Sequence, residues 1–276
     1  MQFNGKKFEA LRYGKNKEIK ESTCYFTPGM DDIIEEKDSI RDLGVIMSSD
    51  ATFSSHVDAV CSKVRQKSGW IMRTFHTRST WFLKFMWKCL VQGHVDYCSQ
   101  LYFPATASDM QKIENLQQIY TKKIPEVKHL NYWQRLQHLK LLSQERRMER
   151  YRIIYVWKIL EGISPNCGLE VTTSERRGRE VKIPPIKGTK GKIQNLRENS
   201  FQIQGPRLFN CLPKSVRGIS KVSIDDFKQH LDRFLEKLPD EPKVENYIPS
   251  ACNIVTASPT NSVVDLARTV RTRRPG

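Results

Sequence analysis

From Ser54 onward the apolar residues of this chain fall into step with the α-helix, and that change of period constrains the fold more than any other feature. Val57, Val60, Val64, Ile71, Met72 and Phe75 recur at helical spacing, with Cys61 and Ser68 filling the stripe. A stripe of that period buries one helix face and does not sit as a strand. Gly69 costs such a helix roughly 1 kcal/mol relative to Ala, so it is read as a close packing point. A second helix is predicted from near Thr80, carrying Trp81, Phe82, Phe85, Met86, Trp87, Leu90 and Val91. It is apolar on most sides, which predicts a central, buried helix. Further helices are predicted over about 107–122, 131–139, 143–161 and 223–238. Ser223 with Asp226 three residues on is a near relative of the capping box. Before Ser54 the pattern is different. Phe8–Tyr13, Ser22–Thr27 and Asp42–Met47 read as short strands separated by turns, with antiparallel pairing. The predicted fold class is therefore mainly α, a helical domain with a small N-terminal antiparallel β portion.

The predicted organisation is strands over 1–50, a helical domain over 51–169, a basic loop over 170–200, a C-terminal helical extension over 201–239 and a tail over 240–276. The loop has little periodicity and is dense in Arg, Lys, Gly and Pro. The tail holds Pro242, Pro249, Pro259 and Pro275 and only weak apolar clusters, and it reads as disordered.

Charge is where function enters. The chain has 46 Lys and Arg against 30 Asp and Glu, a net charge of +16. Residues 122–221 alone carry 22 basic and 8 acidic side chains. Such a field draws polyanions, above all nucleic acid. No run of 18 apolar residues is present, so no helical membrane span and no membrane partner is expected. The start of the chain, Met1-Gln2-Phe3-Asn4-Gly5-Lys6-Lys7, lacks a signal-peptide apolar stretch. The seven cysteines form no C-x-x-C pair, which fits a reduced intracellular chain, nuclear or cytoplasmic. Cys89, His94 and Cys98 lie close in sequence but lack the fourth ligand a zinc site needs, so no metal site is expected.

Sequence-local catalytic motifs are missing. Met30-Asp31-Asp32 has the look of a polymerase metal box. Only Glu9, Glu18 and Glu21 precede it as partner carboxylates, and Pro28-Gly29 marks a turn, so it reads as a solvated acidic segment. Asp225-Asp226 sits in the first turn of a helix, where the helix N-terminus accounts for it. No catalytic residue is assigned. Two basic sets point to nucleic acid instead. Arg146, Arg147 and Arg150 share one helical face, with Tyr151 and Trp157 in the same helix. The first half of that helix reads as exposed and basic, its second half as buried. Salt bridging, for instance to Glu145 or Glu149, is the competing explanation for the trio. Arg176, Arg177, Arg179, Lys182, Lys187, Lys190 and Lys192 stand on the loop and could track a backbone. Phosphate contact without base readout is the expected mode for both.

Several blocks resemble the C-terminal part of a reverse transcriptase of the non-LTR (LINE-type) retrotransposons, near the jockey and CR1 groups. Arg41-Asp42-Leu43-Gly44-Val45 and Phe53-Ser54-Ser55-His56-Val57 resemble its R-D-L-G-V segment and the helix start after it. His94-Val95-Asp96-Tyr97-Cys98-Ser99-Gln100-Leu101-Tyr102 resembles L-D-Y-C-S-Q-L-W, with Tyr102 where Trp is usual. Ile113-Glu114-Asn115-Leu116-Gln117 and Thr121-Lys122-Lys123-Ile124 match the helix that follows. Tyr132-Trp133-Gln134-Arg135-Leu136 resembles Y-W-E-R-L. Gln144 to Tyr151 and Lys158-Ile159-Leu160-Glu161-Gly162 resemble the R-R-x-E-R-Y and W-K-I-L-x-G helix. Gly205-Pro206, Phe209-Asn210 and Leu212-Pro213 continue the order, and the match covers about residues 1–238.

The resemblance implies the end of a polymerase palm followed by a helical thumb and the region beyond. It also implies that the catalytic aspartates, with their Mg²⁺, belong to a palm upstream of Met1. The residues present are thus expected to be inactive alone as an RNA-directed DNA polymerase and to bind no cofactor of their own. A thumb-like role implies RNA, DNA or their hybrid as partner. His94, Asp96 and Tyr97 are expected to form a structural polar knot in the core. Two other classes stay open: a subunit completed by a separate palm-bearing chain, and an inert or protein-binding remnant of a retroelement.

Overall fold

The computed structural model describes residues 8–14, 18, 22–26, 33–104, 106–174, 178–185 and 191–241. The fold is mainly helical with short β pairs. It divides into two compact units, residues 1–59 and residues 60–276.

In the first unit β1 (Glu9–Ala10) pairs with β2 (Glu35–Glu36) in parallel, not in the antiparallel sense predicted. The predicted strand over Ser22–Thr27 reduces to one antiparallel bridge between Phe26 and Ile33. The predicted strand Asp42–Met47 is two strands, β3 (Ser39–Asp42) and β4 (Val45–Ser48), paired antiparallel. Leu43 and Gly44 split it, because both stand at positive φ, 46° and 88°. Two consecutive left-handed residues make the tight turn whose twist matches a hairpin. The backbone N–H of Ile46 then donates to Nδ1 of buried His56 at 3.3 Å.

Helix α1 spans Ser54–Thr74. Its predicted stripe is buried at Val57, Val60, Cys61, Val64 and Ile71. Gly69 is not the packing point predicted, since a Cβ there would meet nothing but the movable tip of Arg73.

The second helix is interrupted. It runs as α2 (Thr80–Met86), a π turn (Trp87–Val91) and α3 (Gln92–Asp96). Residues five apart in a regular α-helix are about 140° apart around the axis and cannot meet. The wider turn aligns Trp87 with Gln92, and the indole Nε1 donates to Gln92 Oε1 at 2.7 Å. Nor is this helix buried all round. Leu83, Trp87 and Val91 are buried, but Trp81 is 73% exposed and Phe85 45%. After α4 (Ser99–Tyr102), α5 (Ala107–Thr121) and α6 (Tyr132–Leu139) lie where periodicity places them. Asn131 and Gln134 form a reciprocal capping box on α6.

Helix α7 (Gln144–Leu160) is the spine of the second unit. Its C-terminal half meets α9 (Phe201–Cys211) and α11 (Ile224–Leu235). Trp157 stacks on Phe227 at 4.5 Å, and its Nε1 donates to the Ile219 carbonyl at 2.8 Å. The predicted basic loop is partly regular. It forms a hairpin of β5 (Val171–Ser174) and β6 (Gly178–Val181), then α8 (Lys192–Asn199). β-branched Val171, Thr172 and Thr173 favour the strand, and the Asn210 side chain extends the ladder. Its amide donates to the Val181 carbonyl at 2.8 Å and accepts the Val181 N–H at 2.9 Å. A four-residue helix, α10 (Lys214–Arg217), links α9 to α11.

Gly205 in α9 allows the closest approach to α7. A Cβ there would lie 2.9 Å from Val156 Cγ2 and 3.1 Å from the Phe201 ring. Alanine gains roughly 1 kcal/mol of helix propensity, but Val156 is buried and β-branched and cannot swing aside. We therefore expect Gly205→Ala to be destabilising by about 1–2 kcal/mol net, since overpacking costs about 1–3 kcal/mol. Thermal unfolding checks this, and an unchanged or higher Tm would contradict it.

Candidate nucleic-acid interface

The helix-borne arginines are placed by the N-terminus of α7. The first N–H groups of a helix have no partner within it, and here each finds one. Asp240 accepts the N–H of Ser143 at 2.9 Å. Glu114, from α5, accepts those of Gln144 and Glu145 at 2.9 and 3.3 Å. The Ser143 hydroxyl accepts that of Arg146 at 3.1 Å. Tyr132 at the start of α6 also donates its hydroxyl to Glu114.

Around this cap the arginines turn inward. Arg146 is fully buried, and its Nε pairs with Asp240 at 2.8 Å. Arg147 grips Asp96 through Nε at 2.8 Å and Nη2 at 2.6 Å, and Tyr151 donates to the same carboxylate at 3.1 Å. Arg150 grips Asp232 of α11 at 2.5 and 2.9 Å. The prediction of an exposed basic half-helix is thus corrected: Gln144, Glu145, Arg146, Met148 and Glu149 are all buried. The cause is ion pairing to acids distant in sequence, with a weaker 3.9 Å approach of Arg146 to the anticipated Glu149. Trp157, in the half of the helix predicted to be buried, is buried on Phe227. Asp240 belongs to the fold and not to the predicted tail, of which residues 242–276 lie outside the described residues.

Of the predicted loop set, two side chains are described. Arg179 pairs with Glu161 at 2.5 Å and donates to the Leu160 carbonyl at 2.7 Å. Lys182 is exposed beside Glu170 at 2.6 Å. Arg176, Arg177, Lys187 and Lys190 lie outside the described residues, as does Met30-Asp31-Asp32, and Lys192 is described by its backbone alone. Of the expected polar knot, Asp96 is at its hub. His94 is only half-buried, and Tyr97 is exposed. The knot is instead built from Gln92, Gln117 and Gln144, whose amides bond one another, with Gln92 also donating to Asp96 at 2.9 Å.

A cavity of about 660 Å³ opens beside this cluster, lined by Trp133, Lys140, Arg147 and Arg150 and also by Asp232, Glu236, Asp240 and Glu241. Its arginines are already engaged, so it presents no net field for an anion. Among the described residues no group of His, Cys, Asp and Glu is placed to hold a metal ion. Among them, too, no helix is long and apolar enough to cross a membrane.

Cations without such partners stand elsewhere. Lys63 and Lys67 on α1 and Lys88 on α2's continuation are exposed, and Lys84 is half-exposed. No ion pair ties any of the four to a carboxylate among the described residues. Their mutual field is felt by neighbouring groups. Burial, then Lys88 and Lys140, holds the Lys84 ammonium below its ordinary value. Burial, then Lys63 and Lys67, does the same to His94. Aromatic rings run through the same region, Trp70 against Phe75 at 5.7 Å and Phe75 against Phe82 at 5.3 Å. Sequence reasoning passed over these residues because the second helix read as buried. One signal was available: at 100° per residue Trp81, Lys84, Phe85 and Lys88 fall within an arc of about 100°.

Comparison with protein-family models, with curated proteins and with solved structures gave no match.

The cap of α7 yields a pH prediction. Burial pushes the Glu114 carboxyl up to about 7, with Asp240 adding to it, against the lowering effect of Tyr132 and the two backbone N–H groups. Between the ordinary carboxylate range and pH 7 the unfolded chain gives up this proton while the folded chain keeps it. Stability therefore falls as pH rises through that window and levels above it, a contribution on the order of 3 kcal/mol. Glu114→Gln removes the titration and is expected to flatten that slope, measured by urea unfolding at about pH 5 and about pH 8. An equal slope in both proteins would contradict the assignment.

Proposed function

We propose that this chain binds the backbone of RNA, DNA or their hybrid without reading sequence, as the helical part that follows the palm in a LINE-type reverse transcriptase, and that it is inactive as a polymerase alone. The observation that carries the binding reading is the set of surface lysines Lys63, Lys67, Lys84 and Lys88, none of them ion-paired among the described residues, whose charges add to burial in holding Lys84 and His94 below their ordinary values. Cations on helices meet phosphates as point charges and carry no base information. The order of the resembling blocks supports the family reading.

The surface cations, not the α7 arginines, are assigned the phosphate contacts. Binding to a labelled RNA–DNA hybrid, followed by fluorescence anisotropy across a salt series, tests this. About four phosphate contacts predict roughly a hundredfold loss of affinity between 50 and 200 mM salt. Changing Lys63, Lys67, Lys84 and Lys88 to Gln is expected to weaken binding and flatten the salt slope while leaving Tm within a few degrees. Arg147→Ala is expected to lower stability by about 2–3 kcal/mol, because it leaves the half-buried Asp96 carboxylate with neutral donors and no charged partner. A folded protein with no salt-dependent binding at low salt would overturn the proposal.

A further inference from the structure

The exposed end of the second helix carries more than charge. Trp81 and Phe85, one helical turn apart, lie with ring planes 7° from parallel and centroids 5.5 Å apart. Trp81 is 73% exposed, so the indole offers an open face to solvent. A single exposed tryptophan is ordinary on a protein surface. This one forms a parallel pair, on the same helical arc as Lys84 and Lys88, with Lys140 close enough to depress the charge on Lys84. Glu126 meets this helix at its first turn, where the Thr80 hydroxyl donates to it at 2.5 Å. A planar apolar face flanked by cations complements one kind of ligand, a flat ring joined to a phosphodiester chain.

We infer that Trp81 and Phe85 form a stacking platform for unpaired bases, with Lys84, Lys88 and Lys140 taking the adjoining phosphates. The site therefore prefers a single strand of nucleic acid to a duplex. The inference rests on the nucleic-acid reading above and adds to it a strand preference and a new contact mode. The physical reason for the preference is access. In a duplex each base is already stacked on its neighbours and its ring face is out of reach, whereas an unpaired base can rotate onto the indole. Stacking of this kind tolerates any base, since every base has a π-face.

The test is anisotropy binding of a short labelled oligothymidylate and of the same strand paired with oligoadenylate, at one low salt concentration. The unmodified protein is compared with Trp81→Ala, Phe85→Ala and Trp81→Phe. The inference predicts tighter binding of the single strand. It also predicts about a tenfold loss on that strand with Trp81→Ala, little change on the duplex, and recovery in Trp81→Phe, which keeps a ring face. Both alanine sites are surface positions, and a thermal melt of each variant verifies its fold. Equal losses on both ligands, or none on the single strand, would overturn the platform while salt-dependent binding left the backbone reading standing. Absence of binding to either ligand by folded protein would overturn both readings and turn attention to a protein partner for this face.

Discussion

The cap on α7 holds the second unit together. Four backbone N–H groups begin this helix, and a buried carboxylate, a nearly buried one and a serine hydroxyl account for them. The unpartnered N–H groups at that end need acceptors, and Glu114 and Asp240 supply them from two distant parts of the chain. That fixes α5, through Glu114, and residues 239–241, through Asp240, to the start of α7. Tyr132 adds α6 through its bond to Glu114. Once the N-terminus is anchored, the arginines of the next two turns face acids on α3 and α11, and the C-terminal half is left to bury Trp157 and its neighbours. Polar geometry and apolar packing thus share one helix, end to end.

The blocks that carry the family resemblance meet in this same cluster. Asp96 belongs to one, Glu114 and Gln117 to a second, Tyr132 to a third, and Gln144 to Tyr151 to a fourth. Their side chains bond to one another across 18 to 55 residues of sequence. Arg135 does likewise within the second unit, donating to Thr121, to the Leu130 carbonyl and to the Gln118 carbonyl. In the structure these motifs form a frame. Buried polar networks of this sort are satisfied from several elements at once, so each block has meaning only with the others in place. The surface proposed to bind is a different set of side chains.

That division explains what the sequence made legible. The existence of α1, α5, α6, α7 and α11 came from period, and the caps at Asn131, Ser143 and Ser223 are local chemistry readable within four residues. The wheel also grouped Arg146, Arg147 and Arg150 correctly on one side. What faced that side was not readable, because the paired acids lie 94, 51 and 82 positions away. The parallel pairing of β1 and β2, the hairpin at Leu43–Gly44 and the π turn at Trp87 also depend on contacts or backbone choices that periodicity does not encode. The candidate surface was half legible. Its cations and rings were visible on one arc, but the abundance of apolar side chains in the second helix pointed to burial on every side.

The central claim is that the α7 arginines are internal struts whose energy is spent on fold. A double-mutant cycle on Asp96 and Arg147, read by urea unfolding, tests it most directly. The account predicts that each single alanine variant is clearly destabilised and that the pair couples by about 2 kcal/mol, as contacting, poorly solvated charges do. Coupling near zero, with Arg147→Ala as stable as the parent and deficient in nucleic-acid binding, would contradict it and return the arginines to the surface role their sequence first suggested.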